Sequence, residues 1–227
     1  MVLTTPARAS RDAGSGRAMS QLICDYLDEL AHSLGGAAPP IDPGVLKRLY
    51  DRHDYAAMLG WIKSAMRLDL RVGLRIVELP DASRPMWVEL PVPMPAFGSR
   101  AFRDARVVVN ARAADLAERS FVWVVAGFAH ELAHVVLSAA GHRLRHDERA
   151  VDLTAMALGY QAFVGDAEIS RSEGLVWSIA LAALLLPFGV VFWRPPRRRT
   201  LRLGYLTRGE AAAARQYLAR RAGPAFR

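Results

Sequence analysis

Cysteine is almost absent: Cys24 is the single thiol in 227 residues. One thiol excludes an intramolecular disulfide framework and any zinc cluster built from several cysteines. Lysine is nearly as scarce, with only Lys47 and Lys63 among 30 basic residues. Arginine in place of lysine, beside abundant alanine, matches a GC-rich bacterial coding bias rather than a chemical choice. The first 19 residues contain no apolar run, so they read as a disordered lead and not as a secretory signal peptide. Acidic residues are missing from one region: residues 194–227 hold ten arginines against Glu210 alone. That segment carries +9, and residues 1–193 sum to −1. The pI of 10.3 therefore reflects a local tail, and a nucleic-acid partner is not expected.

What is present is enough for a folded core. Hydrophobic residues make up 52% and charged residues 23%, which excludes a mostly disordered chain. Ser20 reads as the cap of a helix that stops at Gly35-Gly36, and residues 44–66 read as helix broken near Asp51–Asp54. Arg71–Leu79 alternates and is rich in strand formers; Met86–Leu90 and Ala105–Asn110 are the second and third strands expected. From about Glu118 the pattern becomes a long apolar helix ending at Gly141, followed by a helix over Asp147–Phe163 closed by Gly165. A last helix is expected at Arg208–Arg221. Helices, a small sheet and then helices suggest an α+β fold. The divisions expected are a lead over 1–19, a main folded domain over 20–170, an apolar helix over 171–193 and a basic segment over 194–227.

The chemistry concentrates in His130-Glu131-Leu132-Ala133-His134, an H-E-x-x-H motif. Positions i and i+4 of a helix share a face, so both imidazoles can reach one metal ion, with Glu131 beside them to hold a water. Zinc needs a third protein ligand. The metzincin pattern would place glycine at 137 and histidine at 140, where this chain has Leu137 and Ala140. Glu148 is the better candidate. It stands four residues before Asp152 on the next helix, and Asp152 is placed to orient the ring of His130. Glu168 and Glu173 are alternative third ligands.

HELAH followed by an E-x-x-x-D helix resembles the gluzincin metallopeptidases, and most closely their compact minigluzincin-type and ImmA-like bacterial members. The resemblance covers about Phe121–Phe163, with a weaker preamble back to about residue 44. It implies a small zincin-like fold in which a sheet of three or more strands packs on the active-site and glutamate helices. It further implies a zinc peptidase in which His130, His134 and Glu148 bind the ion and Glu131 is the general base. In such folds an edge strand pairs with an extended peptide or protein substrate, and Val107, Val108 and Val109 are the residues expected to do so. Two features depart from the pattern. Only 13 residues separate His134 from Glu148, and no residue matches the family's transition-state electrophile; His142, His146 and Tyr160 are the nearby options. Two rival readings are an inactive metallopeptidase-like binding or sensing module, and a membrane-associated protein in which HELAH is incidental.

Leu175–Trp193 is a run of 19 residues without a charge, long enough to span a bilayer, and RPPRRRT follows it. A simple span would put the preceding domain outside the cell with no signal to send it there. Pro187 and Gly189 favour a re-entrant or interfacial piece, and a buried helix is the third option. The expectation is a cytoplasmic protein with membrane association through 175–193 and its arginine flank.

Overall fold

Polar caps set where most helices begin. The computed structural model describes residues 7–78, 85–165 and 205–221, with side chains from Gln21 onward. Helix α1 is Ala7–Leu34. It begins well before Ser20, which lies inside the helix rather than at its cap. Residues 7–19, from just after Pro6, hold no proline, and glycine lowers helix propensity without forbidding the helix. Asp42 caps α2 (Pro43–Asp51) by accepting from the Gly44 N–H, with Pro43 at the first helical position. Asp54 caps α3 (Tyr55–Ala65), so the break expected near Asp51–Asp54 is a true boundary.

Strands β1 (Arg71–Val77), β2 (Met86–Glu89) and β3 (Arg106–Arg112) form one sheet in the order β1-β3-β2. β1 runs parallel to β3 and β2 antiparallel to it. Two short helices not anticipated from the sequence, α4 (Arg100–Asp104) and α5 (Ala113–Glu118), flank β3. The substrate-pairing role expected of Val107, Val108 and Val109 does not survive this topology. β3 is the central strand, and both of its backbone edges are already paired. Val107 and Val109 are fully buried. The free edge beside the main helix belongs to β2, which packs on α6.

That helix, α6 (Phe121–Ala139), is the axis of the core. Ser120 caps it by accepting from the Trp123 N–H, and its end is closed by the His142 N–H donating to Leu137 O at 2.9 Å. Trp123, Val124, Phe128, Leu132 and Val135 are buried along it. Among the described residues α6 is the one helix long and apolar enough to cross a membrane, and it is mostly buried inside the protein. The segment 175–193 lies outside the described residues, as do Glu168 and Glu173.

α7 (Glu148–Ala155) packs on α6 and is shorter than the helix expected over Asp147–Phe163. It continues as one π-helical turn, Met156–Tyr160, within which Gly159 takes φ +102°. The wider turn leaves carbonyls for the neighbouring loop: Ala38 N–H donates to Ala157 O at 2.7 Å and Ile41 N–H to Gly159 O at 3.0 Å. A β-carbon at residue 159 would stand 2.5 Å from the Pro39 carbonyl oxygen. Gly159→Ala therefore meets a backbone clash as well as an unfavourable φ. It is expected to destabilise the fold by at least about 2 kcal/mol, measured as a lowered denaturant midpoint at unchanged slope. An unchanged midpoint would mean that the loop gives way without cost.

The chain returns as α8 (Arg208–Arg221), which packs on α1 and the π turn. Thr207 and Glu210 form a reciprocal cap: Thr207 N–H donates to Glu210 Oε2 at 2.6 Å, and Glu210 N–H donates to Thr207 Oγ1 at 3.2 Å. The architecture is α+β, with eight α-helices and a three-stranded mixed sheet among the described residues.

Candidate metal centre

The two histidines of HELAH sit on one side of α6, one turn apart, their ring centroids separated by 5.0 Å. The face they occupy meets the start of α7. Asp147 fixes that start, accepting from the Arg149 N–H at 2.9 Å, while its other oxygen accepts from the Tyr26 hydroxyl at 2.8 Å. Glu148 is therefore the first residue of a pinned helix, and its carboxylate reaches across to α6. Its Oε2 lies 3.1 Å from His130 Nε2 and 3.4 Å from His134 Nε2. The three donor atoms all fall within 4.8 Å of one another.

These separations suit a small divalent ion. Tetrahedral zinc with ligand distances of ~2.1 Å holds its donors ~3.4 Å apart. The donor set of two imidazoles and a carboxylate is also one that such an ion takes. The burial is graded: the side chains of His130 and His134 are 13% and 19% exposed and that of Glu148 39%, so the group opens to solvent on the Glu148 side.

The residues around the donors fix their orientation. Asp152 lies one turn after Glu148 and is buried. Its Oδ1 is 2.8 Å from His130 Nδ1, which turns Nε2 toward Glu148 and His134. The arrangement expected from E-x-x-x-D is thus formed in space. Burial works against a charge on His130, but its hydrogen bonds to Asp152 and Glu148 outweigh that and hold its pKa up to about 10. His134 moves the other way, lowered by burial and then by the neighbouring His130 charge, although the backbone of Arg145 also bonds its ring. The hydrogen bond from His130 holds the Glu148 carboxyl below the usual carboxylate range. Glu131 is buried beside the pair, and its charge acts on His130.

Each of the three residues named as electrophile options has a partner of its own. Tyr160 is in the core, its hydroxyl 3.4 Å from Ile62 O. His142 accepts from the Leu144 N–H at 3.1 Å and faces Glu29 at 3.4 Å. His146 Nε2 accepts from Arg145 Nε at 3.1 Å. The aromatic residue that does reach the site is Tyr205, which sequence reasoning missed. Its ring stacks on His130 at a centroid distance of 5.9 Å and an interplanar angle of 24°. No pattern in the sequence marks it, because it lies beyond the apolar run and belongs to no motif.

No protein-family model, no curated protein and no solved structure matches the chain. The site thus stands on its own geometry: a His-His-Glu group that could hold a metal ion, with a carboxylate oriented behind one of its histidines.

Proposed function

We propose that the protein is a zinc-dependent peptidase of gluzincin type with a zincin-like fold. The observation that carries this reading is the convergence of His130, His134 and Glu148, together with the Asp152 carboxylate 2.8 Å from His130 Nδ1. A largely covered imidazole pair whose Nε2 atoms lie 3.1 and 3.4 Å from one carboxylate oxygen, beside the buried Glu131, is hard to account for as packing alone. When bound, zinc would supply a Lewis acid that acidifies water and polarises a carbonyl.

The chain's own residues would do the rest. Glu131, next to the donor set and outside it, takes a proton from the attacking water and passes it to the leaving amine. Asp152 keeps the ring of His130 fixed throughout. The free edge of β2, next to α6, is where an extended peptide would add by main-chain hydrogen bonds.

Metal analysis of purified protein tests the first step. About one zinc per chain is expected in the wild type, and none in a variant carrying both His130→Ala and His134→Ala. Wild-type protein that takes up no divalent ion when zinc is added would make the constellation a buried ion-pair network and end the peptidase reading.

A further inference from the structure

Asp152 has two oxygens, and the structure uses them differently. Oδ1 meets His130 Nδ1 at 2.8 Å, whereas Oδ2 accepts the backbone N–H of Tyr205 at 2.6 Å. The second bond comes from a residue 53 positions further along the chain. The same residue lays its ring over the His130 imidazole. His130 is thus held in its plane by Asp152 and on one face by Tyr205, and Asp152 is itself held by Tyr205.

Tyr205 can do this because the element behind it is docked. Leu206, Ala211, Ala214 and Leu218 are buried. Arg215 donates from Nε to Gln161 O and from Nη2 to Val164 O, both at 2.9 Å, satisfying carbonyls at the end of the π turn. Gly165 packs so closely that a β-carbon there would stand 2.5 Å from that of Ala211. Glu210 is buried and lies 3.5 Å from the Arg149 guanidinium on α7. The turn at 205–207 is therefore fixed relative to α7, the helix that carries Glu148 and Asp152.

We propose that Tyr205 is a positioning residue of the metal centre, which holds His130 in its ligating orientation through the Asp152 carboxylate and through ring stacking. The inference rests on the metal reading above and adds a part that lies outside HELAH and E-x-x-x-D. Its backbone bond stops the carboxylate of Asp152 from rotating away from His130. Its ring stops the imidazole from tilting and covers one face against water. Groups behind a metal ligand commonly change affinity by about 10–100-fold when removed.

The test is zinc affinity by competition with a chromophoric chelator, together with the visible spectrum of the cobalt-substituted protein. Tyr205→Ala keeps the N–H and loses the ring, and it is expected to weaken zinc binding about tenfold and alter the cobalt bands. Tyr205→Phe keeps both contacts and is expected to match wild type in both measurements. Should Tyr205→Ala fail to fold, Tyr205→Leu fills the space without an aromatic face, and the same loss is expected of it. A merely structural Tyr205 would lower the unfolding temperature of the metal-free protein while leaving zinc affinity and the cobalt spectrum as in wild type, and that result overturns the proposal. Failure of the underlying metal reading shows separately, as wild-type protein that binds neither ion.

Discussion

Glu131→Gln is expected to leave one zinc per chain and to remove turnover. Glutamine has nearly the shape of glutamate, which matters because Glu131 is only 8% exposed and packs within α6. The residue is not one of the three candidate donors, so a bound ion would keep His130, His134 and Glu148. What changes is proton affinity: a neutral amide cannot accept a proton from water. General-base action contributes about 10²–10⁴-fold to a rate, so a loss of roughly a thousandfold is expected. Incubation with a mixture of peptides of many sequences, followed by mass spectrometry of the products, reads turnover whichever sequence is cleaved. Metal analysis of the same sample shows that the site is still loaded. Full activity in the loaded variant would exclude Glu131 as the base and direct attention to another proton acceptor.

The local parts of this protein are legible in its sequence for a simple reason. A helix brings i and i+4 together whatever surrounds it, so HELAH and the Glu148–Asp152 pair declare their faces directly. Capping is local too, and the break between α2 and α3 at Asp54 follows from it. Sheet order is a different matter, because pairing joins distant residues. The alternation in Arg71–Val77 marks a strand but not its neighbours. One signal in β3 does bear on its place: Val107, Val108 and Val109 form a continuous apolar run, the pattern of a strand covered on both faces, which points to the centre of a sheet rather than its edge. Asn110 conceals that reading. It is fully buried, yet it donates to Glu89 at 3.0 Å and accepts from Arg75 at 3.2 Å across the three strands. The π turn is hidden because its cause lies in the 38–41 loop, which takes up the freed carbonyls. Tyr205 is hidden because its partner Asp152 is 53 residues away and the bond is made by its backbone, which no side-chain pattern can reveal.

Glu148→Ala is expected to separate metal binding from folding. Glu148 sits at the rim of the site with its side chain 39% exposed, and the cap that starts α7 belongs to Asp147. Removing the Glu148 carboxylate therefore leaves the helix start intact and creates no buried cavity, so the metal-free variant should unfold within a few degrees of wild type. Some loss is expected, because a carboxylate in the first turn favours the helix dipole and Glu148 bonds to His130. His130 keeps Asp152 on Nδ1, and the nitrogen that loses its partner is Nε2, on the side of the site that opens to solvent. Zinc affinity is a different case. The variant loses one of the three candidate donors and the only negative charge among them. The drop should exceed the roughly 10–100-fold that follows removal of a group behind a ligand. Chelator competition on the variant and on wild type measures it, with unfolding of both proteins in excess chelator as the control. A variant that binds zinc as tightly as wild type would remove Glu148 from the donor set. The pair on α6 would then take its third ligand from some other acid, and the E-x-x-x-D spacing would have no bearing on the metal beyond Asp152.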